Sequence, residues 1–139
     1  IPEIIKLRDE ISPETILIIN GDIDDLKSAK ELSEKYPGVD GFMIGRGAQG
    51  NPWIFKQVAH YLETGEIIPD PTPEEKRIMA KRHARMLIDY KGEYIGIREM
   101  RRHLTYYTRG IKNAAAIRGM VNTSKSEKEL MDIIDTYFV

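Results

Sequence analysis

Two short apolar runs govern what this sequence can fold into. Thr15 to Ile19 is rich in β-branched residues and ends in Asn20-Gly21-Asp22, and Gly41 to Ile44 ends in Gly45-Arg46-Gly47. Continuous apolar runs of this length, without polar alternation, mark strands buried on both faces. A helical pattern follows each run. Leu26, Ala29, Leu32 and Tyr36 share one helix face, and Pro37-Gly38 stops that helix. The second helix is expected from about Asn51, with Asn51 as its cap and Pro52 in its first turn. Ile1, Ile4, Ile5 and Ile11 mark the end of an amphipathic helix before the first strand. Strand, helix, strand, helix with short joins predicts a parallel α/β arrangement.

The pattern changes after the proline-rich stretch Ile67 to Pro73. No strand pattern follows it, so it reads as a domain boundary: an α/β part over residues 1–66, then an all-α part over 67–139. Helices are expected over 73–90, 94–109, 113–120 and 126–137. Thr72 can cap the first of them, with Pro73 at its start and Glu74 and Glu75 in the favourable first turn. Ser124 with Glu127 reads as a capping box for the last. No internal repeat is visible.

Composition excludes several function classes. With 31% charged and 41% hydrophobic residues in 139, the chain is neither disordered nor fibrous. Its longest apolar runs fall far short of the roughly 18 residues of a membrane span. It has no cysteine, hence no disulfide framework, thiolate metal site or cysteine nucleophile. His60, His83 and His103 lack metal-ligand spacing, so no metal site is expected. The chain opens on Ile-Pro and reads as a piece of a longer protein, for which a cytoplasmic origin fits.

The net charge of −1 hides an asymmetry. Residues 1–72 carry 7 Lys+Arg against 13 Asp+Glu, residues 73–120 carry 12 against 5, and residues 121–139 carry 2 against 4. A basic block between acidic flanks outlines either a polyanion-binding surface or an arginine-rich solvated face. At about 100° per residue, Ile97, Met100, Leu104, Tyr107 and Ile111 fall on one stripe. Arg98, Arg101, Arg102, Arg109 and Lys112 fall on an adjoining face, where only Glu99 interrupts the cations. Arginine forks suit phosphate, which favours RNA. Lys76, Arg77, Lys81, Arg82 and Arg85 on the preceding helix extend the patch.

The glycine-bearing turns at both strand ends lie where parallel α/β proteins carry their sites. Gly21, Gly45 and Gly47 allow close backbone approach, and exposed N–H groups ahead of a helix suit a phosphate. Arg46 adds charge. Asp22 reads equally as a helix cap or as a ligand-side residue, and Trp53 as core.

These residues carry a resemblance. Asn20 to Ile23, Asp40 to Ala48 and Gly50 to Phe55 resemble the tRNA-dihydrouridine synthase family, with the Gly45-Arg-Gly-Ala-x-Gly-Asn-Pro-Trp53 run the most specific part. Lys91-Gly92, Arg98 to His103, Tyr107, Gly110 and Ala114 to Arg118 resemble that family's C-terminal helical domain. The resemblance implies the last two strand–helix units of a (β/α)8 barrel followed by a small helical bundle. It implies an FMN enzyme that uses NADPH to reduce the C5–C6 double bond of a tRNA uridine, with a cysteine as proton donor. By position, Asn20, Gly21, Asp22, Gly45, Arg46 and Gly47 would hold the phosphate and ribityl end of FMN. Arg98, Arg101, Arg102, Arg109, Lys112 and Arg118 would face tRNA. The family's catalytic cysteine lies on an earlier loop, so no catalytic residue is expected within this chain, which alone would be inactive. A truncated barrel edge would be open to self-association. Two other readings stand beside this one: another phosphate-binding barrel oxidoreductase, and a non-catalytic helical RNA-binding module.

Overall fold

Parallel pairing of the two apolar runs organises the first of two units in the computed structural model, which describes residues 1–138. The units are Ile1–Ala48 with Pro52–Pro69, and Gln49–Asn51 with Asp70–Val139. In the first, helix α1 (Pro2–Ile11) precedes strand β1 (Ile18–Asn20), helix α2 (Leu26–Lys35), strand β2 (Gly41–Met43), a 3-10 turn (Arg46–Ala48) and helix α3 (Ile54–Thr64). Ile18 pairs with Gly41, Ile19 with Phe42 and Asn20 with Met43. One face of this sheet is covered. Ile23, Ala29, Ile54 and Val58 are buried, and Phe42, Ile44, Leu26 and Leu32 pack against them.

The other face is bare: Ile16, Ile18 and Met43 are 73%, 58% and 59% exposed. The expectation of strands buried on both faces therefore fails in this unit. Side chains alternate across a strand, and α2 and α3 cover only one side. Helix α1 is similar, with Ile4, Leu7 and Ile11 exposed in one row.

One expected helix start shifts, and one of the two readings of Asp22 falls. Helix α3 begins at Ile54, and its first helical bond runs from the Gln57 N–H to the Trp53 carbonyl. Pro52 and Trp53 form the preceding turn, in which Trp53 is half-buried. Helix α2 is capped by Asp25, whose carboxylate accepts the Ser28 N–H at 2.7 Å. Asp22 is thus not the cap.

The second unit is helical: α4 (Pro73–Lys91), α5 (Glu93–Tyr107), α6 (Ala114–Thr123) and α7 (Glu127–Tyr137). Thr72 and Glu75 close a reciprocal capping box at the start of α4. Gly92, at φ 80°, turns the chain into α5. The two helices run antiparallel, with His83 beside His103 and Ile88 beside Gly96. A Cβ on Gly96 would stand 2.7 Å from the Ile88 Cα, so only glycine allows this approach. Ile97, Met100, Leu104 and Tyr107 of the expected stripe are buried, as are Ala80 and Ala84 of α4, Ile117 and Val121 of α6, and Leu130 and Ile134 of α7, whereas Ile111 lies beyond α5 and is half-buried. Arg77 and Lys81 both pair with Asp135, tying α4 to α7 at 2.8 and 2.5 Å.

The cap of α7 is Ser126, which accepts the Glu129 N–H, and not Ser124. Helix α6 runs on to Thr123, so Ser124 closes its end, buried, with its hydroxyl donating to the Val121 carbonyl at 2.7 Å.

Candidate functional site

In the first unit the two strands have unlike ends. At their N-terminal ends, the Arg8 guanidinium donates to the Thr15 and Gly38 carbonyls and to Asp40. The Asp40 carboxylate also accepts the Leu17 N–H at 2.7 Å. That hydrogen bond, and then Arg8, hold Asp40 below the ordinary carboxylate range. Arg8 of α1 and Asp40 are thus both bonded at the strand starts, so this end fastens α1 to the sheet.

The C-terminal ends carry the glycine turns, and the fold brings them together. A Cβ on Gly47 would lie 2.2 Å from the Ile23 carbonyl oxygen and 2.8 Å from the Asp24 Cα. The second turn can therefore seat on the first only because residue 47 is glycine. Gly21 and Gly45 differ: a Cβ on either meets nothing within 4 Å, so their backbones face open space. Gly21 at φ 128° and Asp22 at φ 51° both have left-handed backbone. The Ala48 N–H donates to the Gly45 carbonyl, which leaves the N–H groups of Arg46 and Gly47 at the open start of that 3-10 turn. Arg46 reaches Asp22 at 3.4 Å, with both side chains more than four-fifths exposed, so the contact is loose. Asn20 closes β1 beside Met43. Open backbone N–H groups beside one exposed cation are the ingredients of an anion site.

In the second unit the cations divide. Helix α5 ends at Tyr107, and Gly110 at φ 81° breaks the chain's course. Arg109 and Lys112 consequently lie beyond the helix, not on one continuous face with Arg98, which corrects the expected single stripe. Arg109 stacks 4.8 Å from the Tyr106 ring centroid, and Lys112 borders a cleft of about 390 Å³ with Lys76 and Tyr137. Arg102 is exposed, and Arg118 is half-buried on α6. Arg101 turns inward and donates to the Ser124 carbonyl, tying α5 to the end of α6. Its Nε is buried without a partner among the described residues. On α4, Arg77 pairs with Glu74 and Asp135 and Lys81 with Asp135, while Arg82 and Arg85 stay exposed.

Two groupings escaped the sequence reading. Arg98 lies over the ring of Tyr94, 3.7 Å from its centroid. The signal was present as tyrosine and arginine four residues apart on one helix. His83 and His103, read as scattered, face each other with ring centroids 4.6 Å apart, and the Tyr107 hydroxyl lies 3.4 Å from His83 Nδ1. Burial lowers both histidines below their ordinary range, and mutual repulsion adds to this at His83. Burial pushes Tyr107 up to about 12. No cluster of three or more metal-binding side chains occurs among the described residues. Nor is any described helix long and apolar enough to cross a membrane.

Comparison with known proteins adds a further finding. The profile of the family described as dihydrouridine synthase matches residues 1–138. The chain is 39% identical over 122 residues to a probable tRNA-dihydrouridine synthase of Rickettsia bellii, covering 88% of this chain and 37% of that protein. It is 40% identical over 123 residues to tRNA-dihydrouridine synthase B of Vibrio cholerae, covering 88% and 38%. The chain thus spans 37–38% of the length of these two relatives.

Proposed function

The chain belongs to the dihydrouridine synthase family, and from that premise we propose that it is the part of a cytoplasmic tRNA-dihydrouridine synthase that holds the phosphate end of FMN and grips tRNA. Residues 1–66 are the last two strand–helix units of a (β/α)8 barrel, and residues 67–139 are the tRNA-binding helical domain. A sheet with helices on one face and bare aliphatic side chains on the other supports the barrel reading, since a barrel's inner face is filled by side chains of further strands.

The observation that carries the proposal is the paired turn. Gly47 seats against the Ile23–Asp24 backbone while Gly21 and Gly45 keep open space at the ends of adjacent parallel strands. A phosphate fits such a cradle: Asn20, Gly21, Asp22, Gly45 and Gly47 offer backbone, and Arg46 neutralises charge. When bound, FMN supplies hydride transfer to the uridine C5–C6 double bond, with NADPH as the reductant. The chain's own residues hold and orient. None can serve as the cysteine acid, because the sequence has none, so the chain alone is inactive. Arg98, Arg101, Arg102, Arg109, Lys112 and Arg118 supply the cationic surface for tRNA.

The test is Gly45→Val in a full-length synthase carrying this segment. A Cβ at residue 45 meets nothing within 4 Å, so folding should survive and flavin occupancy should fall. Full flavin occupancy in the folded variant would refute the placement.

A further inference from the structure

A cleft of about 540 Å³ opens between the first half of α5 and the end of α6, bordered by Tyr94, Ile97, Arg98, Arg101, Asn122, Thr123 and Lys125, among them a cluster of cations. We propose that it binds one unpaired nucleotide of the RNA, with the base stacked on the Tyr94–Arg98 pair and the adjoining phosphate held by Arg101 and Lys125. The inference rests on the helical unit being the tRNA-binding part.

Three observations converge on a nucleotide. The first is an aromatic ring in water: Tyr94 is 70% exposed, although a tyrosine ring is ordinarily half-hidden or better. Arg98 lies 3.7 Å from the ring centroid, so Tyr94 and the planar guanidinium form a ready stack. Unpaired bases are recognised by stacking on such aromatic and guanidinium planes. The second is charge. Arg98, Arg101 and Lys125 border the cleft, and no carboxylate does. Of the nearby acids, Glu93 accepts the Glu127 N–H at 2.8 Å and Glu129 accepts the backbone N–H of Lys125 at 2.7 Å. The third is preorganisation. Arg101 is anchored by its bond to the Ser124 carbonyl, so one cation needs little ordering to meet a phosphate. Asn122 and Thr123, both exposed at the end of α6, supply the polar groups that can bond a base edge. An acidic peptide would use the cations and leave the bare aromatic stack without a role, so RNA is the better match.

The experiment measures binding of unfractionated bacterial tRNA, single-stranded oligouridylate and a blunt RNA duplex to the 139-residue chain at two salt concentrations. Wild type is compared with Tyr94→Leu, Tyr94→Phe, Lys125→Ala and Arg102→Ala, with circular dichroism as the folding check. Tyr94→Leu should weaken tRNA and oligouridylate binding about tenfold with the salt slope unchanged, because a base stack and not a phosphate contact is lost. Tyr94→Phe keeps the ring and should bind within about twofold of wild type. Lys125→Ala should flatten the salt slope by about one unit. The duplex, which presents phosphates but no unpaired base, should not feel Tyr94→Leu. If Arg102→Ala weakens salt-dependent tRNA binding while Tyr94→Leu binds all three probes like wild type, the nucleotide cleft is refuted and the tRNA reading stands. If wild type binds no tRNA at either salt, the tRNA reading falls and the cleft proposal with it.

Discussion

The two units answer the same physical demand unequally. The helical unit buries a continuous core drawn from all four of its helices, whereas the buried apolar side chains of the strand unit are Ile23, Ala29, Ile54 and Val58 among the described residues. The strand unit also leaves Ile4, Leu7, Ile11, Ile16, Ile18 and Met43 in water. Burial of apolar surface is the main stabilising term in folding, so the helical unit has the means to stand alone. The strand unit has one covered face, one bare face and two open sheet edges. The lesson concerns division of labour: the glycine turns proposed to hold phosphate sit on the less self-sufficient unit, and the arginines proposed to face tRNA sit on the sturdier one.

The sharpest way to break this comparison is to separate the units. Residues 70–139 alone should unfold cooperatively, and residues 1–69 alone should lack a cooperative transition. A cooperative melt of 1–69 by circular dichroism would overturn the contrast. Sedimentation tests the same point. The whole chain should self-associate through its bare apolar face and sheet edges, and residues 70–139 should stay monomeric.

Single substitutions probe it next. Leu104 is fully buried, and Leu104→Ala should cost about 2–5 kcal/mol in urea unfolding of the helical unit. Ile18→Thr, on the bare face, should change stability by no more than about 0.5 kcal/mol. Gly47→Ala lies between, at about 1–3 kcal/mol, because the new Cβ would collide with the Ile23 carbonyl.

A smaller effect separates the units by pH. His83 and His103 are held below their ordinary value in the folded state, near 6.5 when unfolded. The unfolded chain therefore binds protons first as pH falls. Their contribution to stability is whole above about 6.5 and is lost as pH drops through the lower folded values. Asp40 is held below the ordinary carboxylate value, so its contribution persists above about 4 and fades below. Melting followed against pH should show the helical unit weakening first on acidification. His103→Gln should remove part of that dependence, and Asp40→Asn should leave it intact.

Much of the helical unit was legible because its signals are local. Thr72-Pro73 with Glu75, Gly92 and Gly110 start, turn or stop helices by rules that need no distant partner, and the α5 stripe is a repeat within one segment. What depends on tertiary register was not legible. The His83–His103 contact exists only because α4 and α5 run antiparallel at one particular offset. Arg109 and Lys112 read as a continuation of the α5 face because helical periodicity carries on past Tyr107 in the sequence, while the left-handed Gly110 ends it in space. Asp135 draws Arg77 and Lys81 out of the basic patch from the far end of the chain. In the strand unit, the apolar runs predict strands correctly, but their exposed faces depend on which neighbours are present. The glycine turns were legible as types of residue. That Gly47 serves packing while Gly21 and Gly45 face open space could be read only from their surroundings.

The measurement that bears most directly on the division of labour is a tRNA titration at two salt concentrations, comparing the whole chain with residues 70–139. The account predicts equal affinities and equal, steep salt slopes, with Arg102→Ala weakening both alike. Loss of binding on removal of residues 1–69, or binding that ignores salt, would contradict it.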